Sequence, residues 1–468
     1  MRSIIKMAPN ASTVLYNVEV MNEVQVGQAC QKASAAFSTW RNTTVEERKH
    51  LLSNLITTIQ AHKEQIIDTI MRDVEKPYCE AETEIIEGCD IISFYCNEEY
   101  DGIDEPKEIK LDNQAWPEKK AYTLYQPVGV YAVIKPWNYP FELNLWAIAP
   151  LLLAGNTIVY KPSELSTATG LLLSELINSA GFPDGVFNTV TGDGETGRLL
   201  VKNQNIRGIS FTGSSKVGHE IQELRKDIST KLSLEMGGSD YAIVLSDQNS
   251  DISIPGLLWG SFTNAGQVCV STERILIASD IYTSFRDDLV REAKKLRMKT
   301  EIPPIISEKQ FNHATAIIED AILHGCKVLC GGIDHSMSNA VLPTVIECVD
   351  FEYLNSVGEI FAPIVFLAPF TDEQVAINMV NKSSYGLGCS IWTGNYHAHS
   401  QLLKQLDVGM IWVNDVNLPM PQVPWIGRRE SGIGFNLAKN AVYDSMEIKA
   451  IHIDLDNNKR VWWYPYNA

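Results

Sequence analysis

Cys269 is a candidate nucleophile. It ends the segment GQVC, in which Gly266 allows another part of the backbone to approach closely. A cysteine at such a place presents both its sulfur and its backbone N–H, but it reacts only where its surroundings lower the pKa of the thiol. A lone cysteine is more often an inert buried thiol, so both interpretations stay open at this point.

Asn138 is a candidate hydrogen-bond donor to a negatively charged oxygen. It lies in PWNYP, residues 136–140, directly after the β-branched run VYAVI. The flanking prolines restrict the backbone on both sides, so the side-chain amide would be held in one position, as an oxyanion hole requires. The alternative is an ordinary Asx turn.

Two further segments follow short strands and carry groups that suit a nucleotide. KPSE places Lys161 and Glu164 after the run TIVY, where a carboxylate could accept hydrogen bonds from both ribose hydroxyls and would repel a 2′-phosphate. In FTGSSKVG, Ser214 and the free N–H groups of a starting helix would suit a pyrophosphate. The alternatives are a solvated charge pair and a simple helix cap.

A Gly-x-Gly-x-x-Gly pattern, GDGETG at residues 192–197, stands between a strand and a helix. Alone it is a weak indication of dinucleotide binding, and the acidic ribose ligand expected about twenty residues later is missing. That position falls within a strand that ends at Phe211. A plain glycine turn is an equally good interpretation.

Short β-branched runs alternate with helical stretches from residue 128 onward. The predicted strands are 130–134, 157–160, 186–190 and 206–211, and the predicted helices are 141–154, 166–181, 195–203 and 215–226. This alternation predicts an α/β fold with a parallel sheet covered on both faces. Functional side chains are then expected at the carboxyl ends of the strands.

The composition argues against several classes of function. The 468 residues are 45% hydrophobic and 21% charged, which is ordinary for a globular chain of about three structural units. The net charge of −18 argues against a nucleic-acid-binding surface. Nine scattered cysteines indicate neither a disulfide framework nor a metal site. With no signal-peptide core and no apolar stretch long enough for a bilayer, we expect a cytoplasmic protein without a membrane partner.

Taken together and in this order, the segments resemble the aldehyde dehydrogenase superfamily. The resemblance is carried by PWNYP, LLLAGNTIVYKPSE, ISFTGSSKVG, LSLEMGG, FTNAGQVC, GEIFAP, NKSSYGLG and RRESGIG. It implies a Rossmann-like cofactor domain, an α/β catalytic domain and a small β element for oligomerisation. The expected divisions are 1–108 and 128–237 for NAD binding, 238–432 for catalysis, and 109–127 with 445–468 for assembly into a homodimer or homotetramer.

The resemblance also assigns roles to individual residues. Cys269 would form a thioester with an aldehyde substrate, Glu235 in LSLEMGG would be the general base, and Asn138 would complete the oxyanion hole with the backbone N–H of Cys269. Residues expected to hold NAD, rather than NADP, are Ile134, Lys135, Pro136, Trp137, Lys161, Ser163, Glu164, Gly194, Phe211, Gly213, Ser214, Met236, Glu359 and Phe361.

The resemblance places Tyr139, Leu143, Trp146, Val268, Val270 and Trp425 around the substrate. This lining favours an uncharged apolar or aromatic aldehyde. Family members that oxidise succinate semialdehyde have arginines at the positions of Trp146 and Thr263, and both are absent here. A cationic aldehyde is the alternative, because the aromatic residues match part of the box of betaine- and amino-aldehyde enzymes, and because Glu87 and Asp90 could attract an amine.

One departure from the family pattern leaves other functions open. The stretch PWIGRRESG has Ile426 in place of a glycine, and Arg428 and Arg429 replace the usual pattern beside the substrate mouth. A non-enzymatic member of the family is therefore one alternative. A CoA-acylating enzyme is another, but relatives of that kind usually lack a base at the position of Glu235.

Overall fold

The computed structural model describes residues 2–9, 13–112, 114, 116, 118–227, 229–456, 458–460 and 462–465. The predicted oligomerisation segments 109–127 and 445–468 therefore fall partly outside the described residues. The positions concerned are 113, 115, 117, 457, 461 and 466–468.

Helices and strands alternate along most of the chain. The helices are α1 Glu23–Trp40, α2 Val45–Ala61, α3 Lys63–Val74, α4 Tyr78–Tyr95, α5 Glu142–Leu153, α6 Thr167–Ser179, α7 Gly194–Lys202, α8 Ser215–Leu224, α9 Ser250–Phe262, α10 Tyr282–Ala293, α11 Glu308–Leu323, α12 Phe351–Ser356, α13 Glu373–Lys382, α14 Ser400–Gln405 and α15 Ala438–Asp444. The strands are β1 Ser3–Met7, β2 Val14–Glu19, β3 Lys107–Ile109, β4 Lys119–Pro127, β5 Val130–Ile134, β6 Thr157–Lys161, β7 Phe187–Thr189, β8 Ile206–Thr212, β9 Lys231–Glu235, β10 Asp240–Val244, β11 Thr272–Ala278, β12 Lys327–Ile333, β13 Val341–Glu347, β14 Ile364–Phe370, β15 Tyr385–Gly386, β16 Gly388–Trp392, β17 Met410–Val413, β18 Arg428–Arg429, β19 Gly432–Ile433 and β20 Met446–Asp454.

Within the described residues, a first sheet has six strands in the order β19-β9-β8-β5-β6-β7. The strands β5 to β9 are parallel. In β5, Val130 and Ala132 face a core shared with α1 and α7, whereas Tyr131 and Val133 face a core shared with α2 to α6. The prediction of a parallel sheet covered on both faces is therefore confirmed. The predicted strand 186–190 is shorter than expected, since only Phe187–Thr189 pairs.

A second sheet contains seven of the described strands in the order β12-β13-β14-β11-β10-β16-β17. All are parallel except β12, which pairs antiparallel with β13. A separate hydrophobic core surrounds this sheet. Cys269 precedes β11, so it lies at the amino end of a strand, not at the carboxyl end that the general rule for parallel sheets predicts.

The two sheets are joined near the end of the chain. β19 follows the second sheet in sequence but pairs with β9 of the first, with Gly432 opposite Glu235. Gly432 has a φ of 144°, which an L side chain rarely adopts, and a Cβ there would collide with the backbone of Leu234. This pairing fixes the strand end that carries Glu235.

A third, antiparallel sheet has the order β20-β4-β3 among the described strands. β20 and β4 pair from Met446 opposite Pro127 to Asp454 opposite Lys119. Most of β20 is exposed, as are Trp462, Trp463 and Tyr464 after it. No helix in the described part of the chain has the length and apolar character that crossing a membrane requires.

Candidate active site

Cys269 lines two cavities, one on each side. The first, which we call the aromatic cavity, has a volume of about 200 Å³. Six residues predicted to surround a substrate line it, namely Tyr139, Leu143, Trp146, Val268, Val270 and Trp425. The second, which we call the wide cleft, has a volume of about 480 Å³. The cysteine therefore stands at the boundary between the two spaces.

The wide cleft brings together residues that are far apart in the sequence. Its lining includes most of the residues that we predicted to bind a dinucleotide or an oxyanion. They are Ile134, Lys135, Pro136, Trp137, Asn138, Lys161, Ser163, Glu164, Phe211, Gly213, Ser214, Met236, Glu359 and Phe361. The structure thus brings these residues together in one cleft, and what they bind stays a prediction.

Gly194 is the predicted cofactor residue that lies outside the described lining of the wide cleft. It begins α7, and the side chain of Asp193 caps that helix by accepting a hydrogen bond of 3.0 Å from the N–H of Glu195. The helix end is thus satisfied by its own aspartate. The Gly-x-Gly-x-x-Gly pattern forms a helix start here, as the glycine-turn interpretation allows.

The backbone before the cysteine is strained and is held by a glutamate. Asn264, Ala265 and Gly266 have φ values of 47°, 56° and 66°. Asparagine and glycine tolerate this left-handed region, but an alanine there costs about 1–2 kcal/mol. The carboxylate of Glu80 accepts hydrogen bonds from the N–H of Asn264 at 3.2 Å and from the hydroxyl of Thr263 at 3.2 Å. Glu80 therefore stabilises the turn that presents the cysteine.

Asn138 is tied to the same turn by its side chain. Its amide donates a hydrogen bond of 2.9 Å to the carbonyl of Gln267, two residues before the cysteine. In return, the amide of Asn264 donates to the carbonyl of Asn138 at 3.1 Å. These reciprocal bonds fix the distance between the asparagine and the cysteine loop.

A fully buried ion pair supports the turn that carries Asn138. Lys76 and Glu84 are 2.6 Å apart and both side chains have 0% exposure. The ammonium of Lys76 also donates to the carbonyl of Asn138 at 2.8 Å and lies 3.7 Å from the ring centroid of Tyr139. The second oxygen of Glu84 accepts the backbone N–H groups of residues 141–142 at 2.9 and 3.2 Å. Both members of the ion pair thus form hydrogen bonds with the backbone of this turn.

Glu235 is a buried carboxyl whose oxygens have no hydrogen-bond partner among the described residues. Burial raises its pKa well above the usual value, and the positive charge of Lys135 opposes this rise. Burial lowers the pKa of Lys135 to about 7, and its ammonium donates a hydrogen bond of 2.8 Å to the hydroxyl of Thr212. An acceptor with free oxygens and a raised pKa suits general base chemistry.

The thiol of Cys269 has its pKa raised, first by burial and next by the negative charge of Glu235. The thiol is therefore protonated in this state, and it needs a nearby acceptor to become a thiolate. Glu235 is the carboxylate with the largest electrostatic effect on it. In the described part of the chain, no group of three or more histidine, cysteine, aspartate and glutamate side chains is arranged to hold a metal ion.

A buried ion pair, Glu273 with Arg274, holds the loop of Glu359 and Phe361 beside the wide cleft; we call this pair the Glu273 clamp. The carboxylate of Glu273 accepts the N–H groups of Ile360 and Phe361 at 2.7 and 3.0 Å. Arg274 is paired with Glu273 at 3.0 Å and donates to the carbonyl of Leu354 at 3.0 Å. Burial raises the pKa of Glu359 to about 8.

The aromatic cavity contains acidic side chains as well as rings. Trp425 makes edge contacts with Trp146 and Trp412, with ring centroids 4.9 and 6.0 Å apart. Glu80, Glu87 and Glu142 also line this space. Asp90 is exposed and outside the described lining, so of the two predicted acidic residues only Glu87 reaches the cavity.

The altered loop at 426–429 does not alter this lining. Trp425 contributes to the cavity, but Ile426, Arg428 and Arg429 are absent from its described lining. Arg428 pairs with Asp407 at 2.8 Å, and Arg429 donates to the carbonyls of residues 381, 383 and 407. The arginines therefore serve the packing of the loop.

Comparison with known proteins identifies the family. A family profile described as "Aldehyde dehydrogenase family" matches residues 2–451.

The chain belongs to the aldehyde dehydrogenase family.

Relatives of this aldehyde dehydrogenase include the mitochondrial succinate-semialdehyde dehydrogenase of Arabidopsis thaliana, 31% identical over 95% of this chain and 84% of that protein. The human 2-aminomuconic semialdehyde dehydrogenase is also 31% identical, over 95% of this chain and 94% of its own length. A crystal structure of Staphylococcus aureus betaine aldehyde dehydrogenase in complex with NAD+ matches with a TM-score of 0.93 and 27% identity, covering 98% of this chain and 93% of that one. The family inferred from the eight segments is confirmed.

Several residues of the aldehyde dehydrogenase site were not predicted from the sequence. They are Lys76, Glu80, Glu84, Asn264, Glu142 and Asn417. One signal was available, because Glu80, Glu84 and Glu87 recur at i, i+4 and i+7 and therefore share one face of α4. Acidic residues at that spacing usually face water, but here they face the cysteine loop, the Asn138 turn and the cavity.

Replacing Lys76 with methionine tests the support of Asn138. We expect a loss of about 3–5 kcal/mol in stability, because Glu84 is left buried without its counter-ion. We also expect kcat for aldehyde oxidation to fall about a hundredfold, which corresponds to losing one oxyanion donor. Thermal unfolding and NADH formation measure the two effects. The control is Lys63→Met, whose ion pair with Glu82 is about one-third exposed and therefore contributes little to stability.

A double replacement separates stability from positioning. Lys76→Met combined with Glu84→Leu removes both buried charges. We therefore expect the unfolding temperature of the double variant to lie between those of Lys76→Met and the wild type. Activity should stay low, because the carbonyl of Asn138 still lacks its ammonium donor. Recovery of full activity in the double variant would show that the pair has only a structural role.

Proposed function

We propose that the chain oxidises an aldehyde to a carboxylic acid with NAD as the oxidant, through a thioester on Cys269. The observation that carries this proposal is the position of Cys269 at the boundary of two cavities. An aldehyde in the aromatic cavity would present its carbonyl carbon to the sulfur, and the wide cleft on the other side is lined by groups that suit a dinucleotide.

The reaction follows from the groups around the sulfur. The thiolate of Cys269 attacks the aldehyde carbon and forms a tetrahedral hemithioacetal. The amide of Asn138 and the N–H of Cys269 stabilise its oxyanion, and one such donor is worth about 3–4 kcal/mol. When the oxyanion collapses, the carbon loses a hydride and becomes a thioester. Glu235 then removes a proton from water, which attacks the thioester and releases the acid.

NAD supplies the hydride acceptor when it is bound. The carboxylate of Glu164, beside the buried ammonium of Lys161, suits the adenosine ribose, and it disfavours the extra phosphate of NADP. The start of α8 has no side-chain cap from Ser214, so its N–H groups are open to a pyrophosphate. Glu359 and Phe361, held by the Glu273 clamp, suit the nicotinamide ribose and ring.

Hydrolysis is favoured over transfer to CoA because Glu235 is present and neither of its oxygens has a hydrogen-bond partner among the described residues. A carboxylate with a raised pKa is the group that deacylation requires. The intact set of Cys269, Glu235 and Asn138 also disfavours a non-enzymatic role for this chain.

We further propose the divisions 1–108 and 128–237 for NAD binding, 238–432 for catalysis, and 109–127 with 445–468 for assembly. The exposed strand β20 and its aromatic continuation support an interface with further copies of this chain, as a homodimer or a homotetramer in the cytoplasm.

The aromatic cavity disfavours a carboxylate-bearing substrate such as succinate semialdehyde. Trp146 and Thr263 provide no positive charge, and the carboxyl groups of Glu80, Glu87 and Glu142 line the same space. The rings accept the apolar part of a substrate, so uncharged apolar or aromatic aldehydes fit the cavity. Its carboxyl groups, however, favour a cationic aldehyde.

Replacing Cys269 with alanine should abolish turnover while leaving NAD binding intact, because the nucleophile is lost and the ribose ligands are not. NADH formation with butanal measures the first effect, and fluorescence titration with NADH measures the second. Wild-type rates in the alanine variant would contradict the thioester mechanism.

Replacing Glu235 with glutamine should separate the two halves of the reaction. The variant should still release about one equivalent of NADH per active site in a burst, but the steady-state rate should fall by about a hundredfold or more because water lacks its base. Stopped-flow absorbance follows both phases. A variant with an unchanged steady-state rate would remove Glu235 from the role of base.

A further inference from the structure

We infer that the aromatic cavity contains a subsite for a primary ammonium group, so that short amino aldehydes are preferred substrates. The inference rests on the proposed oxidation at Cys269 and names the substrate class for that site. Three features support it: a pair of carboxyl groups in contact, an amide oxygen without a partner, and aromatic rings on the same walls.

The carboxyl pair is formed by Glu87 of α4 and Glu142 of α5. The side chains of Glu87 and Glu142 interact by a hydrogen bond, and both line the aromatic cavity. Glu142 also accepts a hydrogen bond of 2.8 Å from the indole N–H of Trp146. Burial is the main cause that raises the pKa of both carboxyl groups, and a cation held beside them would lower it again.

The unpartnered acceptor is the side-chain oxygen of Asn417. This residue is 7% exposed and lines the aromatic cavity, and its Oδ1 has no hydrogen-bond partner among the described residues. Its Nδ2 donates to the carbonyl of Gly260 at 3.1 Å, which fixes the orientation of the amide. A buried oxygen without a donor is unfavourable, and a ligand with an N–H group would satisfy it.

The chemistry of these groups distinguishes between two kinds of cation. The rings of Trp146 and Trp425 attract any cation through their π faces. The oxygens of Glu87, Glu142 and Asn417, in contrast, need N–H donors. A primary ammonium has three such donors, whereas a trimethylammonium has none. The cavity therefore matches a primary amine better than a quaternary one.

Pairs of isosteric aldehydes test the inference directly. We expect kcat/KM for 3-aminopropanal to exceed that for butanal by about tenfold or more, as one charge-assisted hydrogen bond provides. The ratio of kcat/KM for betaine aldehyde to kcat/KM for its neutral isostere, 3,3-dimethylbutanal, should be smaller. Equal values within the first pair would overturn the inference, and a larger gain in the second pair would assign the cavity to a quaternary cation instead.

Variants then locate the effect. Glu87→Gln and Glu142→Gln keep the size of the side chain, and each should lower the ratio of kcat/KM for 3-aminopropanal to kcat/KM for butanal by about tenfold. The matched control is Glu82→Gln, on the same helix but paired with Lys63 and outside the described lining of the cavity, which should leave this ratio unchanged. A loss confined to 3-aminopropanal cannot come from misfolding, because butanal reports the folded site in every sample.

The failure of this inference differs from the failure of the proposed function. If butanal and 3-aminopropanal are oxidised equally well, only the ammonium subsite is wrong. If no aldehyde yields NADH while the folded protein binds NADH, the proposed oxidation itself is wrong. As a direct binding test, n-butylammonium should inhibit butanal oxidation competitively, and Glu142→Gln should weaken that inhibition about tenfold. Inhibition equal in wild type and variant would overturn the subsite.

Discussion

The buried ion pair of Lys76 and Glu84 is the constraint on which the geometry around Cys269 depends. Taking two charges out of water costs several kcal/mol for each ion, so such a pair persists only where further hydrogen bonds satisfy both groups. Here the ammonium also binds the carbonyl of Asn138, and the carboxylate also binds two N–H groups of the following turn. A lateral shift of the turn would leave a buried charge unsatisfied, so the pair fixes where the amide of Asn138 can lie.

Two further acidic groups apply the same principle to the cysteine side of the site. Glu80 holds the left-handed turn at Asn264, and Glu273 holds the loop of Phe361. Each carboxylate accepts backbone N–H groups that no helix or strand satisfies. The walls of both cavities are thus fixed by buried charges bonded to irregular backbone. Within that frame, neither oxygen of Glu235 has a hydrogen-bond partner among the described residues.

The sequence predicts the fold well because local patterns determine it. The strands at 130–134 and 206–211 could be found from β-branched runs, and the order of short motifs indicated the family without any contact information. The GDGETG pattern was ambiguous for a physical reason: a glycine turn before a helix has the same local sequence whether or not its N–H groups bind a ligand, and here Asp193 caps the helix instead.

The parts that could not be predicted are those that depend on which helix face is buried. Lys76 and Glu84 are charged residues near a helix start, and such residues usually lie in water. Their burial follows from the packing of α4 against α5 and the Asn138 turn. Contacts such as that between Trp146 and Trp425 join positions that are far apart in the sequence, and no local pattern contains them.

The acidic lining of the aromatic cavity also bears on how a product leaves. Oxidation converts a neutral carbonyl into a carboxylate beside Glu235 and within the space that Glu80, Glu87 and Glu142 share. Like charges in a site of low polarity repel more strongly than in water, so the newly formed acid is less stable there than the aldehyde that entered. An amino aldehyde would be held by its ammonium before the reaction and expelled by its carboxylate after it. The same three glutamates that favour binding of a cationic substrate would therefore limit inhibition by the product.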